Sequence, residues 1–334
     1  MSIANLRQPV TLSAWARLFA PIGPQLAEVE RRLQAELRHS DPFVDELAQR
    51  SFNLGGKRLR PALLLLTASA VGDVNDAHLT LAAVVEMIHT ATLVHDDVID
   101  EADIRRHKET INARWSNQTS ILLGDYLFTH AFYLASSLDT TFGCRTLGRA
   151  TNIVCEGELL QTAASGDFEL SCQQYYRIIN AKTAELCACC CALGAHYAEG
   201  DQHTVSRFDS FGKHIGMAFQ IADDLLDLTG EEHAVGKSLG TDLTKRRMTL
   251  PLILLRDQLP QPQQCELHAL FELPSQASRT ALLDWLKQAG ILGLAREEAL
   301  VHASRAAEQL EFLPDTPAKK SLLQLSQAAV SRCV

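Results

Sequence analysis

The stretch HLTLAAVVEMIHTATLVHDDVIDE, which runs from His78 to Glu101, is almost wholly apolar until its last six residues. It is far too long for a β-strand and contains neither proline nor glycine, so it predicts a buried α-helix. Its acidic end is unusual, because carboxylates at the carboxyl end of a helix oppose the helix dipole. The stretch therefore predicts an apolar core helix that ends in a cluster of carboxylates.

The pattern DDxxD occurs twice, 127 residues apart (223 minus 96). Its members are Asp96, Asp97 and Asp100 in the first copy and Asp223, Asp224 and Asp227 in the second. On a helix, the first and last aspartates of each copy lie on one face. Grouped carboxylates at the end of an apolar helix are unfavourable unless a cation compensates them. Oxygen-only ligation suits Mg²⁺, which bridges carboxylates and phosphate oxygens. One cluster alone could equally be a solvated helix end, but two favour a metal site.

Other helical patterns recur along the chain, with turn-forming residues between them. They cover residues 25–38, 120–136, 151–165, 173–197, 204–228, 278–288 and 295–313. No segment of the sequence alternates convincingly with the period of two that a half-buried strand requires. The sequence therefore predicts an all-α protein with one large domain, residues 1–334, in which residues 1–40 form an amphipathic amino-terminal segment.

Composition limits the functional class. The 334 residues are 46% hydrophobic, enough for a large core, and the formal charge is -9. A net acidic chain argues against a nucleic-acid binder that relies on a basic surface. The nine cysteines form no paired CxxC arrangement, so reduced cytoplasmic thiols are the simplest interpretation. The amino terminus lacks a signal-peptide pattern and no apolar run reaches roughly 18 residues, so we expect a cytoplasmic protein without a transmembrane segment.

Basic residues supply the fixed cations that a diphosphate site requires. In GGKRLRP, residues 55–61, glycines let the backbone approach a ligand, and Lys57 and Arg60 can bind phosphate. A surface turn with incidental basic residues is the alternative for this motif. Further candidates are Arg105 and Arg106 after the first aspartate cluster, Lys182 and Thr183 within an apolar helix, and Lys237 after the second cluster. An unpaired buried lysine is costly, so Lys182 indicates a ligand.

Two polar residues share a helix face with the aspartates. His89 lies two turns before Asp96, and Gln220 lies one turn before Asp223. A lone histidine on an apolar helix is more often a hydrogen-bonded core residue. The alignment of His89 with the aspartates nevertheless favours a place in the site.

Together these motifs resemble the trans-isoprenyl diphosphate synthase family. The resemblance rests, in chain order, on GGKRLRP, HDDVIDEADIRR, GDYLF, EGELLQ, KTAEL, FQIADDLLD, GKSLGTDL and TLPLI, and it covers nearly the whole chain. It is strongest for the long-chain branch that octaprenyl diphosphate synthases represent. The resemblance implies the isoprenoid synthase fold, a single bundle of mainly antiparallel helices around a deep central cavity, usually as a homodimer.

The resemblance also implies a magnesium-dependent prenyltransferase that adds isopentenyl diphosphate head-to-tail onto an allylic diphosphate such as farnesyl or geranylgeranyl diphosphate. It assigns Lys57, Arg60, His89 and Arg106 to isopentenyl diphosphate. It assigns Arg105, Lys182, Thr183, Gln220 and Lys237 to the allylic diphosphate. Mg²⁺, about three ions when diphosphate is bound, would be held by Asp96, Asp97, Asp100, Asp223, Asp224 and Asp227.

Product length is a separate prediction. The growing hydrocarbon would extend from the metals along the helix that ends in the first aspartate cluster, so residues one to three turns upstream would limit it. Ile88, Ala91 and Thr92 are small or aliphatic there, whereas short-chain members of the resembled family have bulky aromatics near the positions of Thr92 and Ala91. Phe128 and Phe132, one turn apart, are either the cavity floor or simply core residues. We expect a product of about seven to ten isoprene units.

Several alternatives stay open. A shorter-chain farnesyl or geranylgeranyl diphosphate synthase would share the chemistry, and a non-catalytic or partner-dependent subunit of a heteromeric synthase would share the fold. A class I terpene cyclase usually pairs one DDxxD with an Asn/Ser/Glu motif, so the second DDxxD argues against it. A di-iron bundle is a further alternative, because Glu36/His39 and Glu86/His89 both read ExxH, but no further glutamates complete a convincing set of ligands.

The chain departs from the family in two loops. His107 and Glu109 stand where the family usually has Gly and Pro, and Arg246 with Arg247 replaces the common Gly-Lys. Arg247 keeps the charge. These departures bear on the flexibility of the substrate loops more than on the chemistry.

Overall fold

The computed structural model describes Trp15 and residues 17–53, 56–230 and 240–331, which are almost entirely helical. A 3-10 turn at Ala20–Ile22 precedes the first helix numbered below. In chain order the helices are α1 (Gly23–Glu36), α2 (Pro42–Asn53), α3 (Leu59–Val71), α4 (Asp76–Ile99), α5 (Ile111–Arg114), α6 (Asn117–Ser136), α7 (Phe142–Ala163), α8 (Cys172–Ile179), α9 (Glu185–Tyr197), α10 (Gln202–Thr229), α11 (Thr241–Thr244), α12 (Leu250–Gln258), α13 (Gln261–Glu272), α14 (Gln276–Gln288), α15 (Ile291–Glu308) and α16 (Pro317–Val330). The predicted all-α class is confirmed.

Several long helices begin at residues that cap exposed backbone N–H groups. Asn75 precedes α4: its side chain accepts from the His78 N–H (3.2 Å), and His78 Nδ1 accepts in return from the Asn75 N–H (3.0 Å). Ser171 and Gln174 form the same reciprocal pair before α8, and Asp201 caps α10. Each cap stabilises its helix by about 1 kcal/mol. These caps help to set where three of the helices that border the cavity begin.

Two apolar clusters form the interior. The first joins α3, α4, α6 and α9 and contains the fully buried run Leu63–Leu66. The second joins α8, α10, α12 and α15 and contains Ile253. Helix α10 belongs to both, with Phe208 in the first cluster and Ile221 in the second. The four cysteines between residues 187 and 191 are buried in the first cluster, where free cysteine packs as a small apolar residue.

A π-helical turn, Asn180–Ala184, joins α8 to α9. Such turns are frequent at functional sites. Gly157 of α7 and Gly216 of α10 both contact it closely. A Cβ at Gly157 would lie 2.6 Å from the backbone nitrogen of Lys182, and one at Gly216 would lie 2.4 Å from Ala184 Cα. A larger residue at either position would have to move backbone atoms. The absence of a side chain at these two glycines therefore allows the π turn to pack closely against α7 and α10.

Two features differ from the sequence prediction. Ile104–Arg105 and Lys108–Glu109 pair as an antiparallel ribbon, β1 and β2, which is too short to show a period-two pattern. Helix α7 begins at Phe142 instead of near residue 151, because glycines at positions 143 and 148 interrupt its apolar pattern.

Two helical segments are long and apolar enough, by length and composition alone, to cross a membrane: α4 and the continuous run Cys172–Tyr197. The expectation that no apolar run reaches this length was therefore too strict. Of their most apolar windows, 67% and 83% are buried inside the protein. Burial of this kind is typical of the core helices of a globular domain.

Candidate active site

A cavity of about 1580 Å³ opens between α4, α7, α8, α10 and residues 241–249. Both aspartate clusters line it, together with most of the other predicted site residues. The predicted residues on its wall are Lys57, Arg60, His89, Thr92, Asp96, Asp97, Asp100, Arg105, Arg106, Lys182, Thr183, Gln220, Asp223, Asp224 and Asp227. The fold thus brings residues from distant parts of the chain to one cavity.

The other predicted positions are not on this wall. Ile88 and Ala91 are buried in the first apolar cluster, and Phe128 and Phe132 pack against it with ring centroids 5.2 Å apart. None of these four described residues lines the cavity, so their role in chain length stays a prediction. Lys237 lies outside the described residues.

Protein cations contact the first aspartate cluster. Asp97 accepts a hydrogen bond from Arg105 Nε (2.7 Å). Asp100 lies 2.7 Å from Lys245 Nζ and accepts from Arg247 Nη2 (2.9 Å). Both cations on Asp100 come from the segment between α11 and α12, so this segment and the end of α4 form one side of the cavity.

The pKa values of these carboxyls reflect burial and the neighbouring cations. Burial raises the pKa of Asp96 to about 6, although Lys182 has the opposite effect. Burial also raises the pKa of Asp97. For Asp100, burial acts in the same direction, but the two contacting cations outweigh it and lower the pKa. A divalent cation beside Asp96 would favour its ionised form.

Hydrogen bonds orient the second aspartate cluster. Asp224 is 4% exposed and accepts from the Tyr175 hydroxyl (2.6 Å) and from Gln220 Nε2 (2.8 Å). Asp227 is 2% exposed and accepts from two backbone N–H groups at the start of α11, at 3.1 and 3.3 Å. Asp223 lines the cavity beside them. The carboxylates at positions 224 and 227 are therefore held in place by neutral donors.

The π turn places Lys182 and Thr183 on the cavity wall. Lys182 Nζ lies 2.6 Å from Glu158 Oε1. The Gln161 amide, oriented with its oxygen toward the cations, accepts from Lys182 Nζ at 3.1 Å. Thr183 Oγ1 donates to Gln220 Oε1 (2.8 Å). Lys182 is therefore paired with a carboxylate, which corrects the premise that it lacks a protein partner.

Basic residues surround His89 on another side of the cavity. Burial lowers the pKa of His89 well below its usual value, and the charges of Arg60 and Arg106 lower it further. The imidazole is therefore neutral, so it can donate one hydrogen bond and accept another. A Cβ at Gly56 would lie 2.9 Å from the Arg106 guanidinium. The glycine thus allows this side chain to lie against the loop before α3.

Ion pairs hold the loop before α3 in place. Arg58 Nη1 donates to Glu86 Oε1 (2.7 Å), and the same guanidinium bonds to Glu30. Lys57 Nζ lies 5.0 Å from the centroid of the Trp15 ring. Glu86 is 3% exposed, so removing Arg58 would leave a buried carboxylate without its ion-pair partner. This pairing also argues against Glu86 as a ligand in the ExxH pattern.

Five residues with a Cβ have a left-handed backbone in the loops that border the cavity. They are Arg58, Glu101, Arg106, His107 and Arg246, with φ between 49° and 61°. This conformation costs roughly 1–2 kcal/mol for such a residue. His107 and Arg246 stand where the resembled family commonly has glycine, which adopts these φ values without that cost. The departures from the family therefore occur where the backbone favours glycine.

The donor set fits a divalent cation that also binds phosphate. In the described part of the chain, no group of three or more His, Cys, Asp or Glu side chains is placed to hold a metal ion. The carboxylates instead lie in two clusters on the wall of one cavity. Mg²⁺ is usually bound by one or two carboxylates together with substrate phosphates and water. The residues therefore fit Mg²⁺ shared with a diphosphate better than a metal enclosed by protein.

Sequence reasoning missed several residues of this cavity. Glu158 and Gln161 lie one turn apart in EGELLQ, and this spacing on one helix face was the available signal. Lys245 pairs with Asp100 across 145 residues (245 minus 100), which local patterns do not reveal. Tyr175 lies in the helical run CQQYYRII and resembles an ordinary core residue.

Comparison with known proteins agrees with this geometry. The family profile described as polyprenyl synthetase matches residues 41–286. The octaprenyl diphosphate synthase of Escherichia coli strain K12 is 34% identical over 308 residues, which cover 92% of this chain and 95% of that protein. A decaprenyl diphosphate synthase from Rhodobacter capsulatus gives a TM-score of 0.90 at 32% identity, over 96% of this chain and 99% of that one. A polyprenyl synthase from Caulobacter crescentus CB15, complexed with calcium and isoprenyl diphosphate, gives 0.90 at 33% identity, over 98% and 100%.

These solved structures confirm the isoprenoid synthase fold that the resemblance implied. The family profile spans well over half of the chain, and the E. coli relative is similar over nearly its whole length. The chain therefore belongs to the polyprenyl synthetase family.

Proposed function

We propose that the protein is a long-chain trans-polyprenyl diphosphate synthase, which adds isopentenyl diphosphate units head-to-tail onto an allylic diphosphate. One observation carries the proposal: two aspartate clusters and two groups of basic residues line a single cavity. Such a cavity suits two diphosphates and the divalent cations that neutralise them. Relatives named octaprenyl and decaprenyl diphosphate synthase support the long product.

The basic side of the cavity is the proposed site for isopentenyl diphosphate, bound by Lys57, Arg60, His89 and Arg106. Burial and the charges of neighbouring arginines lower the pKa of Arg106, and the charges of a diphosphate would offset this repulsion. Each guanidinium can hold two phosphate oxygens at once. Lys57 adds a further charge at the rim, where it is exposed.

The allylic diphosphate is proposed to bind between the aspartate clusters, near Arg105 and Lys182. Each of these cations already contacts a carboxylate, Asp97 and Glu158 respectively. A diphosphate with its own divalent cations can bind beside such pairs without leaving a charge unpaired. Lys237 remains a proposed member of this set.

The hydrogen bonds of Thr183 and Gln220 suggest a different role for them from the one that the resemblance implied. Thr183 uses its proton on Gln220, and the Gln220 amide nitrogen faces Asp224. The Thr183 oxygen therefore keeps free lone pairs, and Gln220 keeps one lone pair on its amide oxygen beside its second N–H. Lone pairs repel a diphosphate and stabilise a positive charge. We place these two residues beside the allylic carbon that becomes positive.

The proposed metal is Mg²⁺, bound together with the allylic diphosphate. Its ligands would be Asp96, Asp100 and Asp223, with Asp97, Asp224 and Asp227 orienting or supplementing them. When bound, Mg²⁺ neutralises charge on the departing diphosphate. The chain's own contribution is to hold these carboxylates on two helices that line one cavity.

The reaction needs no protein nucleophile. The bond between the allylic C1 and its diphosphate oxygen breaks, and the electron pair stays on the diphosphate, whose charge Arg105 and Lys182 stabilise. The double bond of isopentenyl diphosphate supplies the electron pair of the new carbon–carbon bond. The proton lost from the adjacent carbon goes to the released diphosphate. The apolar side chains of α4 help to exclude water, which would otherwise trap the cation.

We also propose that the protein is a cytoplasmic homodimer. Leu122 and Tyr133 of α6 lie three turns apart on one helix face and are 60% and 70% exposed, and Leu159 of α7 is 72% exposed. Exposed apolar side chains on adjoining helices are typical of a protein interface. The described cysteines are free thiols, as a reducing compartment favours.

Metal dependence tests the proposed chemistry. We expect purified protein to extend farnesyl diphosphate with isopentenyl diphosphate in Mg²⁺ and to lose this activity in EDTA. Asp96→Asn is expected to lower kcat by about 100-fold or more. Asp73→Asn, an exposed residue before the other end of α4, is the matched control and is expected to behave as wild type. Full activity in EDTA or in Asp96→Asn would contradict the proposal.

A further inference from the structure

Tyr175 of α8 is buried beside the second aspartate cluster, with 3% of its surface exposed. Its hydroxyl donates to Asp224 Oδ2 over 2.6 Å. The other carboxylate oxygen, Oδ1, accepts from Gln220 Nε2 over 2.8 Å. Both oxygens of a buried aspartate therefore have a fixed, neutral donor. The reaction proposed above assigns a role to Gln220 but none to Tyr175.

A continuous chain of hydrogen bonds runs from Tyr175 to Thr183. The amide nitrogen of Gln220 donates to Asp224, so the amide oxygen of Gln220 faces away from that carboxyl. That oxygen accepts from Thr183 Oγ1 over 2.8 Å. The position of the Asp224 carboxylate therefore determines which atoms of Gln220 and Thr183 are available to a ligand.

We propose that Tyr175 is a positioning residue of the active site, which fixes the Asp224 carboxylate and through it the orientation of Gln220 and Thr183. This inference rests on the proposed function. Without the hydroxyl, the carboxylate keeps one donor and can rotate about its Cβ–Cγ bond. The Gln220 amide then loses its defined orientation, and the oxygen atoms proposed to face the allylic carbon are misplaced. Partners that orient metal-site residues typically change metal affinity or activity by about 10–100-fold.

Tyr176 offers a matched control in the next position of the chain. Its hydroxyl donates to Glu298 Oε2 of α15 over 3.3 Å, and it does not line the cavity. Tyr175→Phe and Tyr176→Phe each remove one hydroxyl and keep the ring. If only Tyr175→Phe changes binding or kcat, the effect comes from the hydroxyl beside Asp224 and not from the loss of a tyrosine hydroxyl in general.

The test measures binding of Mg²⁺ with inorganic diphosphate to the full chain by calorimetry, beside steady-state kinetics. We expect Tyr175→Phe to weaken this binding and to lower kcat by about 10-fold or more. The KM for isopentenyl diphosphate is expected to stay within about twofold, because its proposed site lies around His89. Tyr176→Phe is expected to match wild type in all three quantities. Wild-type behaviour of Tyr175→Phe, or equal losses in both variants, would overturn the inference.

Two controls separate positioning from a purely structural role. Urea unfolding is expected to show a cooperative transition for Tyr175→Phe, and failure of this variant to fold would overturn the inference. In a Gln220→Leu background, Tyr175→Phe is expected to reduce kcat by a smaller factor than in wild type, because both residues act through one chain of hydrogen bonds. Fully independent effects would count against the inference. If wild type extends no allylic diphosphate, the proposed function fails; if it does and Tyr175→Phe is unaffected, only this inference fails.

Discussion

Single residues in left-handed conformation border the cavity, and His107 is the simplest of them to interpret. It lies in the turn between β1 and β2 with φ of 61°, and its side chain is exposed. Arg246 has a similar backbone, but its guanidinium also pairs with Glu272 at 3.1 Å and contacts Gly166. A substitution at Arg246 would therefore change both the backbone strain and the side-chain contacts. A substitution at His107 would change mainly the backbone strain.

His107→Gly is expected to stabilise the protein. Glycine removes the steric cost of the left-handed backbone but increases the entropy of the unfolded chain, so the net gain in unfolding free energy is about 0.5–1 kcal/mol. Urea unfolding measures this gain. His107→Ala keeps the Cβ and serves as the control, with a change smaller than that of glycine. A glycine variant less stable than the alanine variant would show that the ribbon turn is not strained.

Residues that interrupt an apolar helix with charge could be predicted from the sequence. Asp96, Asp223 and Lys182 are of this kind. A charge within an apolar helix is visible in the sequence, and burying it is unfavourable unless a partner or a ligand compensates it. Tyr175 and Glu86 could not be predicted, since their roles depend on partners 49 and 28 residues away. Whether such residues matter follows from tertiary contacts, not from local pattern.

Among the helices, α4 forms a wall of the cavity and ends in the first aspartate cluster. Thr92 lines the cavity, while its neighbour Ala91 is completely buried in the apolar core. A bulky side chain at the two positions would therefore have different consequences. At Thr92 it would enter the cavity, and at Ala91 it would overpack the core at a cost of about 1–3 kcal/mol.

Thr92→Phe is expected to shorten the polyprenyl product, because the ring would block the path of the growing chain along α4. Mass analysis of dephosphorylated products measures the change in length. Thr92→Val preserves the side-chain volume and is expected to leave the product distribution unchanged. Ala91→Phe is also expected to shorten the product if the chain displaces core residues beyond the cavity wall. If both phenylalanine variants make products of unchanged length, α4 does not limit the length of the product.

The contact between α10 and α15 contains a pair of histidines. His214 Nδ1 and His302 Nδ1 lie 3.0 Å apart. Burial, His214 and Arg305 lower the pKa of His302 from 6.5 to about 4. The neighbouring charges on His214 are Arg305 and Lys213, opposed by Glu308. The folded protein therefore disfavours protonation of this pair.

His302→Gln is expected to reduce the pH dependence of stability. Because the pKa of His302 is lower in the folded state, its contribution is complete above pH 6.5 and is lost as the pH falls toward 4. After allowance for partial exposure, the loss between pH 7.5 and 5 is about 1 kcal/mol. Urea unfolding of both proteins at the two pH values measures it. An identical pH dependence in the variant would refute the assignment.

Helix types and approximate positions followed from apolar periodicity, since burial of one face imposes it. The π turn at Asn180–Ala184 did not, because KTAEL is compatible with an uninterrupted α-helix. The turn is recognisable only from the backbone of the folded chain, where Gly157 and Gly216 approach it closely. The β1–β2 ribbon was missed because each strand has only two residues.

At the scale of the whole molecule, α10 and α16 each contribute to both apolar clusters. Ala318 and Leu322 of α16 belong to the first cluster, and Ala329 and Val330 belong to the second. Unfolding either cluster would therefore expose part of the other. On this basis we propose that residues 1–334 form one domain, with residues 1–40 as its amino-terminal segment.

Leu122→Glu is expected to weaken the proposed homodimer, because a charge would have to be desolvated at the interface. Light scattering after size-exclusion chromatography measures the change in mass across a concentration series. Leu273→Glu is the control, since Leu273 is 77% exposed and lies at the end of α13. A wild-type protein that is monomeric at all concentrations, or equal dissociation of both variants, would contradict this interface.

The most direct test of the account is the length of the product made by the purified chain alone. The protein is incubated with Mg²⁺, isopentenyl diphosphate and farnesyl or geranylgeranyl diphosphate, and the dephosphorylated products are sized by mass. The account predicts a ladder that ends at about seven to ten isoprene units, in line with the octaprenyl and decaprenyl synthases it resembles. Products that stop at three or four units would contradict the long-chain assignment. No extension from either primer would contradict the activity itself and favour a subunit that requires a partner.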